Sequence, residues 1–189
     1  MKPLTALIIV IAPALFAQPL KVVTVTAPRC NKVFDASGVI TVQDFTSPIA
    51  KTGFLQSRNF QGVAPAPAQG KFIYEYRVNN VDSAAAITKL RVKFGPHISL
   101  DYNGDKQLDD VFVITKGGIG SVGLVSAVRD GAYITFTFSG SGVKRDSSYF
   151  FGLASEHART NLVVTATAIP SPDLTLEAWA PIEFAATKP

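Results

Sequence analysis

The stretch DYNGDKQLDD, residues 101–110, has the residue types and spacing of a binding site for a hard metal ion. Counted from the first aspartate, oxygen-bearing side chains stand at positions 1, 3, 5 and 9. Calcium takes about six to eight oxygen ligands, and a tight loop turns alternate side chains toward one ion while a backbone carbonyl fills another place. The spacing therefore predicts Ca²⁺ as a cofactor, bound by the side chains of Asp101, Asn103, Asp105 and Asp109 and by the backbone carbonyl of Gln107.

The charge of this stretch supports the same prediction. Four carboxylates and one lysine give residues 101–110 a net charge of −3, whereas the whole chain carries +4. Carboxylates held close together repel one another and destabilise a fold, and a divalent cation reverses the sign of that interaction. Leu108 is expected to anchor the loop to the core, and Asp110 is either a spare ligand or a solvated acid.

A plain turn is the alternative interpretation of the same residues. Asn103-Gly104 is a strong signal for a tight β-hairpin, which would join residues 97–102 to a strand at 111–115 and leave the acids solvated. Both interpretations place the stretch between two strands.

The rest of the chain consists of short segments with strand periodicity. In KFIYEYRVNN, residues 71–80, apolar and polar side chains alternate, which is typical of a half-buried strand. Asp130-Gly131 predicts a tight type I′ hairpin, and no segment shows a sustained helical period. The predicted strands are residues 21–27, 38–45, 71–80, 87–94, 111–115, 122–128, 132–138, 148–154, 161–169 and 173–179.

This spacing of strands predicts an all-β fold, an antiparallel β-sandwich of the immunoglobulin-like or jelly-roll-like kind. The Pro-rich and Ala-rich stretch 62–70 is a surface loop or a domain linker. We favour the loop, because the residues before it are too few for an independent core. Residues 18–189 are therefore expected to form a single domain.

The N-terminus has the pattern of a secretory signal peptide. Lys2 precedes an apolar run that is too short to span a bilayer and ends in small residues. Cleavage is expected after Ala17, which places the protein outside the cytoplasmic membrane, secreted or at the cell surface, with the periplasm as an alternative. The single cysteine, Cys30, has no partner for an internal disulfide. No second apolar stretch is long enough for a membrane span.

The remaining motifs argue against an enzyme and against nucleic-acid binding. Gly118, Gly120 and Gly123 fit G-x-G-x-x-G, but a strand pattern follows where a dinucleotide site needs a helix. Only two histidines, His97 and His157, are present for acid–base chemistry. Loss of residues 1–17 leaves 17 basic against 14 acidic residues, a small and scattered excess. No catalytic residue is predicted.

The aromatic residues have two interpretations. Those at 72, 74, 76, 150 and 151 form either the core face of a strand pair or an exposed platform that stacks on sugar rings. We favour the core, because alternating aromatics usually face inward. A carbohydrate-binding module, with surface glycans as partners, is kept as the alternative function.

The loop resembles the DxNGDxxxD calcium loops of integrin-type repeats and of dockerin-like and EF-hand-like modules. Two positions depart from that pattern. Lys106 replaces a glycine and must adopt a left-handed conformation at a cost of roughly 1 kcal/mol, and Phe112 replaces the bidentate acid of an EF-hand.

The segments FIYEYRVNNVDSAAAITKLRVKFG and SSYFFGLASEHARTNLVVTATA are similar to exported bacterial surface domains of unassigned function. The expectation is a non-enzymatic, calcium-binding module with a structural, surface-assembly or adhesion role. It would self-associate through its N-terminal strand, residues 21–27, because an edge strand can pair with a neighbouring subunit.

Overall fold

The computed structural model describes residues 17–26, 39–46, 52–62, 64, 66–169 and 174–181. These residues form strands joined by turns and loops, and no helix occurs among them. The strands are β1 (Gln18–Leu20), β2 (Val22–Thr26), β3 (Val39–Thr46), β4 (Thr52–Gln61), β5 (Phe72–Asn79), β6 (Ala86–Lys93), β7 (Val111–Lys116), β8 (Leu124–Asp130), β9 (Tyr133–Phe138), β10 (Phe151–Ser155), β11 (Arg159–Ile169) and β12 (Leu174–Pro181).

The strands form two six-stranded sheets that pack face to face. Sheet A has the order β1-β8-β9-β6-β11-β12, and sheet B has the order β2-β7-β10-β5-β4-β3. Neighbouring strands are antiparallel except β2 and β7, which are parallel. The prediction of an all-β sandwich is confirmed, with one parallel pair that the sequence did not indicate.

The core lies between the sheets and is built from the alternate residues that the strand pattern assigns to the inner face. Tyr74 and Tyr76 of β5 are fully buried there, so the predicted core interpretation of these aromatics is confirmed. Phe136 of β9 packs on Phe151 of β10, with ring centroids 4.9 Å apart, and so joins the two sheets. Burial of such large side chains is the main stabilising contribution to a fold without disulfides.

The two long sides of the sandwich are closed in different ways. On one side the chain itself crosses from sheet A to sheet B at Lys21, between β1 and β2. On the other side β12 approaches sheet B, where the backbone N–H of Trp179 donates to Ser57 Oγ at 2.9 Å. The Tyr76 hydroxyl donates to the Trp179 carbonyl at 2.6 Å. These bonds satisfy polar groups that the sandwich buries.

Sheet B has a second apolar cluster on its outer face. It contains Val25, Ala66, Ala68, Ile73, Tyr102, Phe112, Ile114, Phe150 and Ala154. The connection between β4 and β5 covers part of this face, because Ala68 in that connection is fully buried. Residues 62–70 thus link two adjacent strands of one sheet. The outer face of sheet B is therefore partly covered, unlike the solvated face of a simple antiparallel sheet.

Several local predictions need correction. Residues 52–61 form β4, which the sequence pattern did not predict, and the predicted strand 21–27 is preceded by the separate short strand β1. The predicted hairpin exists, but Asp130 pairs with Tyr133, so its central residues are Gly131 and Ala132. Of these two, only Gly131 has a positive φ, 56°, which fits a type II′ rather than a type I′ turn.

The predictions for the signal peptide, for Cys30 and for the glycine-rich segment have different outcomes. The predicted signal peptide up to residue 16 and the single Cys30 lie outside the described residues. Gly118, Gly120 and Gly123 lie in the connection from β7 to β8, and a strand follows them, as predicted.

Glu75 is a buried carboxyl group on the outer face of sheet B. It lies opposite Arg58 on β4 and Gly152 on β10, and the nearest Arg58 nitrogen, Nη1, is 3.7 Å from its Oε2. Burial raises the pKa of Glu75 to about 7, and the positive charge of Arg58 opposes that shift only in part. Ionised Glu75 therefore destabilises the folded state.

We expect Glu75→Gln to remove a pH-dependent loss of stability. Below pH 4.5 the carboxyl is protonated in both folded and unfolded chains, and between pH 4.5 and about 7 it ionises first in the unfolded chain. Wild-type stability should therefore fall relative to the variant by about 3 kcal/mol as the pH rises from 4 to 8. Urea unfolding at a series of pH values measures this difference.

Glu156→Gln is the matched control, because Glu156 is exposed and pairs with Lys71 at 2.6 Å. The pKa of Glu156 is lowered by its hydrogen bond and ion pair with Lys71, so its replacement should change stability little and in the opposite pH direction. A constant difference between wild type and Glu75→Gln across the pH range contradicts the prediction.

Candidate functional site

The acidic loop, residues 101–110, covers the outer face of sheet B and leads directly into β7. Leu100 and Asp109 close it as an antiparallel bridge, with reciprocal N–H to carbonyl bonds of 2.9 Å. The loop between them is therefore longer than a two-residue turn, and Asn103-Gly104 does not form the tight hairpin of the alternative interpretation.

Tyr102 anchors the acidic loop to the protein. Its ring is buried in the outer cluster of sheet B, 5.1 Å from the ring of Phe112. Its hydroxyl accepts a hydrogen bond from the Ala154 N–H at 3.0 Å. The prediction that Leu108 is the anchor is wrong, because Leu108 is 64% exposed. An aromatic ring with a hydroxyl satisfies both the apolar cluster and the open backbone group of β10.

Asp101 organises the first half of the loop through backbone amides. Its Oδ1 accepts from the N–H groups of Gly104 at 2.7 Å and Asp105 at 3.0 Å, and its Oδ2 accepts from Lys106 at 3.0 Å. The chain reaches this geometry with positive φ angles of 82° at Gly104 and 70° at Lys106. The left-handed conformation predicted for Lys106 is thus confirmed.

Asn103 and Asp105 continue the same arrangement. Asn103 Oδ1 accepts from the Asp105 N–H at 3.0 Å, and Asp105 Oδ1 accepts from the Gln107 N–H at 2.7 Å. Asn103 Nδ2 donates to Asp105 Oδ2 at 2.9 Å. The hydrogen bond from Asn103, and after it the one from Gln107, lowers the pKa of Asp105, so this exposed side chain is ionised at neutral pH.

Asp109 lies at the inner end of the loop, and its side chain is only 2% exposed. Its Oδ1 lies 3.0 Å from Lys21 Nζ, which also donates to Gln107 Oε1 at 3.0 Å and to the Leu108 carbonyl at 3.5 Å. Its Oδ2 is buried and has no hydrogen-bond partner. Such a group costs free energy unless something else binds it.

Asp110 is neither a spare ligand nor a solvated acid. Its Oδ2 accepts from the Lys21 N–H at 2.8 Å, and its Oδ1 accepts from Ser99 Oγ at 2.5 Å and lies 3.4 Å from His97 Nε2. Burial alone would raise the pKa of Asp110, but the bonds from Ser99 and Lys21 outweigh it and the pKa is lowered.

The neighbouring histidine does not complete a nucleophilic pair. Burial, and after it the positive charge of Arg129, lowers the pKa of His97 against the opposing effect of Asp110. The Ser99 hydroxyl donates to Asp110, not to the imidazole, so this arrangement lacks the contact between nucleophile and base that acyl transfer requires.

The five predicted ligands thus form two groups. Asp101, Asn103 and Asp105 lie in the exposed half of the loop. Asp109 and the side chain of Gln107 lie at the buried end, where both contact the Lys21 ammonium. Within the described ranges, no three His, Cys, Asp or Glu side chains form a metal-binding group. A pocket of about 310 Å³, lined by Thr24, Val25, Thr26 and Asn103, separates the loop from β2.

Lys21 is the residue of this site that the sequence did not indicate. It is more than eighty positions away from every oxygen that it contacts, and nothing in its flanking residues marks it as a counter-ion. Its carbonyl also accepts from the N–H groups of Asp110 and Val111, both at 3.0 Å.

The fold and the loop define a β-sandwich with an acidic loop tied to its N-terminal crossover. Comparisons with family models, with curated proteins and with solved structures gave no match for this chain. The part of the chain that the structure describes contains no helix long and apolar enough to cross a membrane.

We expect Lys21→Met to lower the free energy of unfolding by about 2 kcal/mol, because it leaves the buried Asp109 carboxylate without its cation. Combining it with Asp109→Asn should recover much of that loss, since the double variant has no unpaired charge. Chemical denaturation of the single and double variants measures the coupling.

Lys71→Met is the control for this measurement. It removes the exposed ion pair with Glu156 and should cost less than about 1 kcal/mol. Equal losses in Lys21→Met and Lys71→Met, or strictly additive effects in the double variant, contradict a structural role for the Lys21–Asp109 pair.

Proposed function

We propose that this protein is an exported, non-enzymatic β-sandwich module that binds Ca²⁺ with its acidic loop and has a structural, surface-assembly or adhesion role. The observation that carries the calcium proposal is Asp109 Oδ2, a buried carboxylate oxygen without a hydrogen-bond partner, at the end of a loop that carries further oxygen donors. A hard cation such as Ca²⁺ would satisfy such an oxygen.

The donor chemistry of the loop fits calcium. The predicted ligands supply carboxylate and amide oxygens, and each oxygen that accepts one backbone N–H keeps a lone pair for a metal ion. The Lys21 ammonium contacts Asp109 Oδ1 and the side chain of Gln107, so it leaves Asp109 Oδ2 and the Gln107 carbonyl to the ion. Lys21 then orients Asp109, as hydrogen-bonded partners orient metal ligands elsewhere.

Binding by the full set of ligands requires a change in the loop. The acids of the exposed half and Asp109 are not gathered around one point in the described structure. Residues 104–108 are all exposed, so this segment can close toward Asp109 without disturbing the buried Tyr102. We expect weak to moderate affinity, because closure costs conformational entropy and no bidentate acid follows at position 112.

We expect Ca²⁺ to raise the melting temperature of the purified protein by about 5 °C relative to EGTA, because a ligand of the native state stabilises it. Asp105→Asn should remove the shift without changing the melting temperature in EGTA, since Asp105 is exposed. Differential scanning calorimetry and isothermal titration calorimetry measure the two effects.

Asp130→Asn is the matched control for calcium binding. Asp130 is an exposed acid at the end of β8, away from the loop, and its replacement should leave the calcium response intact. Identical melting in EGTA and in millimolar Ca²⁺, together with no heat of binding, would falsify the calcium proposal.

The assembly role is supported by the position of β2. This strand is at the edge of sheet B and is paired on one side only, with β7, among the strands that the structure describes. An unpaired strand edge is a template for pairing with another chain. Thr24 and Thr26 are exposed there, whereas Val25 is buried in the outer cluster of sheet B and holds the strand in place.

We expect the double substitution Thr24→Lys/Thr26→Lys to abolish self-association, because positive charges on an edge strand oppose pairing. Size-exclusion chromatography with light scattering gives the oligomeric state. Thr135→Lys/Thr137→Lys on β9 is the matched control, since β9 lies between two partners in sheet A and has no open edge. A wild-type protein that is monomeric at high concentration removes the assembly role.

The alternative of a carbohydrate-binding module has to use other residues than the predicted aromatic platform. Tyr74, Tyr76, Phe150 and Phe151 are all buried, and Phe72 is half-buried against the core, so these residues do not form an exposed row of rings.

A further inference from the structure

Strand β6 carries a row of three cations on the outer face of sheet A. Lys89 and Arg91 are exposed and Lys93 is half-buried, whereas Leu90 and Val92 between them are fully buried in the core. Alternate residues of a strand lie on the same face about 7 Å apart. Because β6 is central in sheet A, with β9 and β11 on either side, the row lies in the middle of the face.

The residues directly opposite Lys89 and Arg91 on the neighbouring strands carry no charge. Lys89 lies opposite Thr137 and Thr167, and Arg91 lies opposite Thr135 and Thr165. These four threonines are half-buried on the same outer face. On a solvated sheet face, charged side chains gain stability from opposite charges directly across the ladder, and for Lys89 and Arg91 the ladder offers hydroxyl groups instead.

Arg91 is also held in a fixed orientation. Its guanidinium carbon is 3.6 Å from the centroid of the Tyr133 ring. This stacking orders the guanidinium plane at modest entropic cost and leaves its N–H groups at the rim directed to the surroundings. An ordered guanidinium is suited to bidentate recognition of carboxylate or sulfate groups.

We propose that this face, defined by Lys89, Arg91, Lys93 and the flanking threonines, binds an acidic polysaccharide. A row of cations at a regular spacing matches a linear polymer with repeating anionic groups, and threonine hydroxyls can donate to and accept from sugar hydroxyls. The choice of a polysaccharide rests on the exported role proposed above, and the site is independent of the calcium loop, which lies on sheet B.

A nucleic acid fits the same face less well. Single strands bind where bases stack on open aromatic rings between cations. The aromatic side chain beside the row, Tyr133, is covered by Arg91, so this face supplies charge and hydroxyl groups without a stacking platform.

The test uses heparin for sulfate groups, polygalacturonate for carboxylate groups and neutral dextran as the uncharged polymer, with the full protein in EGTA at moderate salt. We expect binding to at least one acidic polymer, none to dextran, and at least a tenfold weaker affinity in Lys89→Ser/Arg91→Ser. Which acidic polymer binds identifies the anionic group that the face recognises. Microscale thermophoresis gives the affinities, and thermal melting verifies that each variant folds.

Lys71→Ser/Lys116→Ser is the matched control, because it removes two positive charges from sheet B instead of sheet A. Lys116 is the last residue of β7, and Lys71 immediately precedes β5. It should bind within about twofold of the wild type. The proposal is overturned by an absence of binding to both acidic polymers, by equal losses in the two double variants, or by tighter binding of a single-stranded oligonucleotide. Because calcium is chelated throughout, these outcomes are separate from failure of the calcium proposal.

Discussion

The contacts of Lys21 with the acidic loop are the interaction on which the architecture depends. The residue stands where the chain leaves sheet A for sheet B, so its backbone position fixes both β1 and β2. Its ammonium neutralises the buried Asp109, and its backbone N–H and carbonyl bind Asp110 and Val111. One residue therefore closes a side of the sandwich, sets the start of the parallel pair between β2 and β7, and stabilises the candidate site.

The strands could be predicted where one face is apolar and the other polar, as in residues 71–80 and 87–94. Strand β4 was missed because its inner face contains polar residues that break the alternation. Ser57 is buried but accepts from the Trp179 N–H, and Asn59 is buried but donates to the Ile73 carbonyl at 2.9 Å. Partners from distant strands make these positions compatible with the core, and a local pattern contains no information about such partners.

The same limit applies to the candidate site. The spacing from Asp101 to Asp109 indicated the oxygen donors, and the glycine and lysine with positive φ follow from the same loop pattern. The sequence did not indicate that Tyr102 is the anchor, because the apolar cluster that receives it lies on the outer face of sheet B. Ile73 and Glu75 belong to the face expected to be solvated, yet both are buried. Ile73 packs in the cluster formed with Ala68 and Tyr102, and the position of those two residues depends on the tertiary fold.

Charge balance relates the lysine to the proposed calcium ion. The acidic loop alone has a net charge of −3, and the Lys21 ammonium reduces this to −2. One Ca²⁺ ion would balance that remainder, whose exposed part lies on Asp101 and Asp105. In the absence of metal, water and backbone amides solvate these two carboxylates, which keeps the loop folded at low cost. The buried end cannot rely on water, since Asp109 is inaccessible. Lys21 therefore neutralises Asp109 through Oδ1 where solvent is excluded, and the proposed Ca²⁺ would balance the charge that remains by joining Asp109 Oδ2 to the carboxylates of the exposed half.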